Sequence, residues 1–170
     1  MKILPIRIYG DEILRKKSDK VENIDGDLVD FLNSLIVTMR HAKGLGLAAN
    51  QLGLTKRIFA MDMSYIDVVK EPIVIINPEL VDFSGSISGE EGCLSLPGLF
   101  QEIVRPEKVT IKGLDRSGKE IIIEEKGLVA RVLLHEIDHL DGKLFIDHLS
   151  NAQRELLKGK LKKIKAGGQA

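Results

Sequence analysis

Two histidines four residues apart, with a glutamate directly after the first, are the side chains in this sequence best equipped for chemistry. In His135-Glu136-Ile137-Asp138-His139, a helix would bring both imidazoles to one side, where they can grip a single ion. Glu136, one residue on, falls about 100° around the axis, at the edge of the histidine face. From there it could take a proton from water on the ion without ligating the ion itself, the division of labour found in helical H-E-x-x-H sites. The competing reading is a buried helix whose histidines only satisfy hydrogen bonds, which suits a lone histidine better than this spacing.

Two imidazoles leave a tetrahedral ion short of protein ligands. In the extended motif H-E-x-x-H-x-x-G-x-x-H the third ligand is a later histidine, but here Gly142 is followed by Phe145 at that place. A glutamate from a following helix would have to be Glu155, inside a lysine-rich tail. Asp141, Asp147 and His148 remain open as donors. Cys93 is the strongest candidate: a thiolate binds such ions tightly, and Glu90-Glu91-Gly92-Cys93-Leu94-Ser95-Leu96-Pro97-Gly98 reads as a turn-bounded segment free to approach the helix. Against this stands the ordinary fate of a single cysteine, as a small buried hydrophobe.

Stepping outward to the elements that must hold these groups, residues 127–141 contain no helix breaker. Leu128, Val132, His135 and His139 share one stripe, and Gly142 sits where a helix would stop. An N-terminal amphipathic helix is expected from Asp25 or Asp27, with Leu28, Phe31, Leu32, Leu35, Ile36 and Met39 on its inner side and Gly44 closing it. His41 falls with Arg40 and Lys43 near its end, where the helix dipole favours cations, and reads as a helix-end residue rather than a ligand. Short strands are expected at Arg57–Met61, Pro72–Asn77, Leu80–Phe83, Phe100–Val104, Lys108–Leu114 and Lys119–Glu124, with turns at Asn77-Pro78, Gly85, Pro97-Gly98 and Asp115-Arg116-Ser117-Gly118. Ile3–Tyr9 reads as an edge strand, followed by one helical turn carrying Ile13 and Leu14. After Ser150 a last helix is expected, with Ser150 and Gln153 as a capping box and Leu156, Leu157, Leu161 and Ile164 as its stripe. The fold class is α+β: short antiparallel strands packed around a central helix carrying H-E-x-x-H, with an N-terminal and a C-terminal helix.

Gly44-Leu45-Gly46-Leu47-Ala48-Ala49-Asn50-Gln51 spells the dinucleotide fingerprint G-x-G-x-x-A. Its context is inverted, because a helix runs in and a strand follows, so nucleotide binding is set aside. Bulk properties agree with one domain over residues 1–170: 44% hydrophobic and 29% charged residues, with 25 Lys+Arg against 25 Asp+Glu. That balance leaves no global field for nucleic acid or membranes. The start, Met1-Lys2-Ile3-Leu4-Pro5, lacks a signal peptide's apolar run and no stretch is long enough to span a bilayer, which predicts a cytoplasmic protein with no membrane partner. One cysteine excludes an internal disulfide. The tail over 150–170 is basic: Arg154, Lys158, Lys160, Lys162, Lys163 and Lys165 face only Glu155. Such a run is ordinarily a solvated face, and the other use is docking on a polyanion such as ribosomal RNA.

Taken together, three separated motifs resemble those of peptide deformylases, in the same order: Gly44-Leu45-Gly46-Leu47-Ala48-Ala49-Asn50-Gln51, Glu91-Gly92-Cys93-Leu94-Ser95 and His135-Glu136-Ile137-Asp138-His139. The likeness runs from about Tyr9 to Gly142. Leu134 stands where members often carry Gln, and Gly10 and Glu12 lie where many have Pro; none of these is a metal or proton-transfer position. The resemblance implies a hydrolase that removes the N-formyl group from the N-terminal methionine of new proteins, releasing formate. It implies Cys93, His135 and His139 as ligands of one divalent ion, ferrous iron in the cell and zinc, nickel or cobalt in a purified sample. Glu136 would accept the water's proton and hand it to the leaving amine, while the Gln51 side chain and the Leu94 backbone N–H would face the oxygen that gathers charge. An N-formyl-methionyl peptide could pair main chain to main chain with Leu45 and Gly46. Leu128 and Val132 are candidates for the floor of the methionine pocket, ordinary core packing being the other reading.

Three rivals are separable. In an H-E-x-x-H peptidase with an acidic third ligand, Cys93→Ser would leave metal content unchanged. A metal-stabilised module resting on the ribosome would need neither Glu136 nor Gln51, and a cysteine hydrolase built on Cys93 leaves H-E-x-x-H unexplained.

Overall fold

The apolar periods of 3.6 and 2 residues sort the chain into helices flanking two sheets. The computed structural model describes residues 1–64 and 71–170. Among these, in order, come α1 (Gly26–His41), β1 (Gly46–Ala48), β2 (Ile58–Met61), β3 (Ile73–Ser84), β4 (Ile87–Cys93), β5 (Leu96–Arg105), β6 (Lys108–Leu114), β7 (Glu120–Lys126), α2 (Gly127–Leu140) and α3 (Asn151–Lys165), with short 3-10 turns at Glu12–Arg15, Ala49–Leu52 and Phe145–His148. Strands β1-β2-β3-β6-β7 pair antiparallel in that order, and β4 and β5 form a separate antiparallel pair. The architecture is α+β, as expected.

Helix α2 is buried on nearly every side: Ala130, Val132, Leu133, Leu134, Ile137 and Leu140 pack with Ala48, Phe59, Ile75 and Ile111 of the large sheet. A helix so enclosed carries apolar residues all round, and its polar groups must find partners inside the protein. It starts without a loop, Lys126 ending β7 and Gly127 opening the helix. At its other end Gly142 has φ +73, and a Cβ there would lie 2.5 Å from the Arg15 carbonyl oxygen, so both the backbone angle and the approach of the N-terminal segment require glycine. On the opposite flank α1, capped by the Asp25 side chain accepting from Leu28 N–H at 2.9 Å, buries Leu32, Leu35 and Met39 with Leu47, Ile58 and Ala60. Each such side chain contributes roughly 1.5–3 kcal/mol by leaving water.

Several expectations need correction. Ile3–Tyr9 is not a strand. It runs between two turns and meets each once, Arg7 N–H donating to Gln51 O at 2.7 Å and Tyr9 N–H to Ser95 O at 2.8 Å; a turn presents no ladder of partners. The strands expected on either side of Asn77-Pro78 are one strand, β3. Asn77 takes φ +53 within a register shift, and its amide bonds Val21 N–H and C=O at 2.8 and 2.9 Å, so the turn signal marks a bulge. The segment reaching Cys93 is strand β4 rather than a free, turn-bounded segment, and β1 forms where no strand is expected. In α3 the capping box is present and Leu157, Leu161 and Ile164 pack inward, but Leu156 is 85% exposed because it lies a helical step off that stripe. No helix among the described residues is long and apolar enough to cross a membrane.

Candidate active site

Three elements converge at one end of α2. The helix presents His135 and His139 a turn apart, with ring centroids 4.9 Å from each other. Strand β4 ends on Cys93, whose Sγ lies 3.2 Å from His139 Nε2. The donor atoms of Cys93, His135 and His139 all lie within 4.8 Å of one another, and among the described residues no other group of this kind is gathered. Ligands at 2.0–2.3 Å around a tetrahedral centre sit about 3.3–3.8 Å apart, so these residues fit a small divalent ion with minor adjustment. His135 Nδ1 meets Glu91 Oε2 at 3.0 Å, which leaves Nε2 for the gap, the arrangement by which outer carboxylates orient metal-binding imidazoles. The other candidate donors are engaged elsewhere: Asp141 with Arg57 at 2.7 Å, Asp147 with Arg15, His148 with Asp138 at 2.7 Å.

Charge in this cluster is strongly perturbed. Burial acts upward on the Cys93 thiol, yet His139 and His135 outweigh it and hold the group well below its ordinary value, the thiolate form that binds metals. Burial acts downward on His135, and Cys93 and Glu91 overcome it in the other direction. Glu136 differs: only 3% exposed, it is pushed up to about 7 by burial, against the pull of His135 and His139. Its Oε2 has no hydrogen-bond partner among the described residues, and its carboxylate lies against the backbone of Gly46, where a Cβ would come within 2.4 Å of Oε1. A carboxyl poised near neutrality and free to take a proton has the properties of a general base.

Gln51, on the 3-10 turn after β1, is held at both ends of its amide. Oε1 accepts from Ala48 N–H at 2.9 Å, while Nε2 donates to Ser95 Oγ at 3.0 Å and lies 3.6 Å from Cys93 Sγ. The amide N–H groups therefore face the cysteine. Leu45, Gly46, Gln51, Cys93, Leu94, Leu128, Val132, His135 and Glu136 all line one cavity of about 420 Å³. Leu128 is 47% exposed at this cleft; Val132 is buried and belongs to both the cavity wall and the core.

Sequence reasoning missed the ionic cluster behind the site. Glu91 receives Arg105 in a two-point contact at 2.8 and 2.9 Å and Arg131 at 2.9 Å; burial acts upward on its carboxyl, and Arg105 and His135 overcome that to hold it far below the ordinary range. Arg105 continues to Asp138 and His148. The signal available was an arginine inside the apolar run Leu128-Val129-Ala130-Arg131-Val132-Leu133-Leu134, because a cation there needs a buried partner.

A thiol and two imidazoles around a gap, beside a buried carboxyl and an open cleft, are the kinds of group with which a metal-dependent hydrolase works. Residues 3–155 match the family model described as polypeptide deformylase. A peptide deformylase of Thermodesulfovibrio yellowstonii is 51% identical over 162 residues, 95% of this chain and 98% of the relative. The crystal structure of a peptide deformylase from Legionella pneumophila is 46% identical with a TM-score of 0.90, covering 97% of this chain and 96% of that one. That of the Ehrlichia chaffeensis enzyme in complex with actinonin is 40% identical with a TM-score of 0.88, covering 96% and 98%. The chain belongs to the polypeptide deformylase family. It is a hydrolase of a linear amide that takes the formyl group from the N-terminal methionine of newly made proteins and releases formate.

Proposed function

We propose that Cys93, His135 and His139 hold the single divalent ion this family requires, and that Glu136 moves the protons of the reaction. The observation that carries this reading is the gathering of those three donors within 4.8 Å next to a carboxyl pushed up to about 7. When bound, the ion supplies Lewis acidity and lowers the pKa of water. Glu136 accepts a proton from the attacking water and later delivers it to the departing amine, which one carboxyl can do if it stays within hydrogen-bond reach. The Gln51 amide, anchored through Ala48 and Ser95, and the Leu94 backbone N–H steady the formyl oxygen as it gains charge.

The substrate reading is that an extended N-formyl-methionyl peptide adds to the outer edge of β1 through Leu45 and Gly46; β1 being an outermost strand among the described residues supports it. The methionine side chain enters the cavity beside Leu128 and Val132. Ferrous iron is the ion in the cell, with zinc, nickel or cobalt able to replace it in a purified sample, since one sulfur and two nitrogens accept all of them. The six cations Arg154, Lys158, Lys160, Lys162, Lys163 and Lys165 of α3 are all exposed, which supports docking on ribosomal RNA beside the emerging chain. The enzyme works in the cytoplasm as one deformylase-like unit over residues 1–170.

The test is anaerobic purification with metal analysis, then formate release from a short formyl-Met peptide. Glu136→Gln should keep its ion and lose turnover by about 10²–10⁴-fold, while Cys93→Ser should lose the ion. A Cys93→Ser protein with undiminished metal refutes the ligand set.

A further inference from the structure

Cys93 and the two histidines stand on pieces of structure that, among the described residues, share no backbone ladder. Cys93 ends β4, which among the described residues pairs only with β5, and neither strand joins the five-stranded sheet that leads into α2. Something other than strand pairing must set the distance from the sulfur to the imidazoles.

We propose that Arg131 is the positioning residue that sets it, by clamping the β4–β5 hairpin to α2; this rests on the metal-site reading above. Arg131 lies one turn before His135 on the same side of the helix and is 6% exposed. Its guanidinium donates to the carbonyls of Ile87 at 2.9 Å and Gly89 at 3.2 Å on β4, and of Ile103 at 2.8 Å on β5. Gly89 and Ile103 face each other across the hairpin, so one planar group spans both strands. It also donates to Glu91 Oε1 at 2.9 Å, the carboxylate whose other oxygen meets His135 Nδ1. The same side chain thus fixes where β4 runs and steadies the group that orients a histidine. A Cβ on Gly89 would come within 3.0 Å of the guanidinium, so glycine there makes room for the clamp. Burying a cation is costly unless its donors are met, and an apolar residue would fill this space without reaching the carbonyls. A guanidinium's rigid fork reaches several acceptors at once, which an ammonium does not.

The test is Co²⁺ titration of the metal-free protein against a competing chelator, following the thiolate-to-cobalt absorption band. Arg131→Gln should bind Co²⁺ about 10–100-fold more weakly than wild type, the usual effect of losing an outer partner of a metal ligand, with a weaker and shifted band. Arg131→Lys should fall between the two. Leu133→Ala, a core truncation on the same helix, should lower Tm but leave the band and affinity unchanged. If Arg131→Gln matches Leu133→Ala, losing Tm while keeping affinity within threefold and the same band, the proposal is overturned. If Arg131→Gln does not fold, the same criterion applied to Arg131→Lys decides. A wild-type protein without the band refutes the Cys93 ligand reading itself, a result distinct from failure of the Arg131 role.

Discussion

Gly46→Ala should slow the reaction without disturbing the peptide grip. Side chains of a strand project out of the sheet, and the space above Gly46 is filled by Glu136: an added Cβ would lie 2.4 Å from Oε1, 2.8 Å from Cδ and 2.9 Å from Cγ. Ordinary contact begins at 3.4 Å, so the carboxylate must retreat by about 1 Å. A displacement of that size in a reacting group costs about 10²-fold, equivalent to about 2.7 kcal/mol of barrier. The edge N–H and C=O of β1 are unaffected, so KM should change by no more than about threefold. The backbone of Gly46 is not in the left-handed region, so alanine adds no conformational strain. Removing a strand glycine even recovers roughly 0.5–1 kcal/mol of unfolded-chain entropy, offsetting part of the crowding cost. The assay is kcat and KM for formate release from a formyl-Met peptide, with metal content measured on the same sample. A kcat within threefold of wild type in metal-loaded Gly46→Ala would refute the reasoning, and loss of the ion would show that the ligands, not the base, had moved.

Gln51→Leu removes the amide donor and should lower kcat by about 10²–10³-fold with KM little changed, read in the same assay. Acid stability should depend on Glu91. Burial acts upward on it, but the hydrogen bonds of Arg105 and His135 win and depress it below its ordinary 4.5, so its contribution is complete above about pH 4.5 and is lost as pH falls toward the folded value. In metal-free protein, Arg105→Met should cost about 3 kcal/mol at neutral pH and flatten the fall in stability between about pH 5 and pH 3; denaturant melts giving the wild-type acid slope would count against it. Gly142→Ala, forced to φ +73 against the Arg15 carbonyl, should lose at least about 1 kcal/mol, measured as a lower denaturant midpoint.

The helices were legible because one period ran unbroken through each, and the hairpin at Asp115 because Asp115 Oδ1 accepts from the Ser117 and Lys119 N–H groups, a purely local device. Asn77-Pro78 misled for a reason equally physical: the positive φ that signals a turn also serves a bulge, and the Val21 contact that stabilises it comes from 56 residues away. At the site, the thiol and imidazoles stood out because few side chains share their chemistry, and the fold does bring them together. Glu91, Arg105 and Arg131 did not stand out. Glu91 and Arg105 lie on strands that could have faced water, Arg131 was one cation in an apolar helix, and the 40 residues separating Glu91 from Arg131 leave no local pattern.

The direct passage from Lys126 to Gly127 makes the junction of β7 and α2 a place where length cannot drift. One inserted residue would turn the helix about 100° and swing both imidazoles off Cys93, whereas an insertion in the 115–118 hairpin would be absorbed as a larger loop. Chains descending from this one should therefore vary in length at their hairpin tips and keep this junction to the residue.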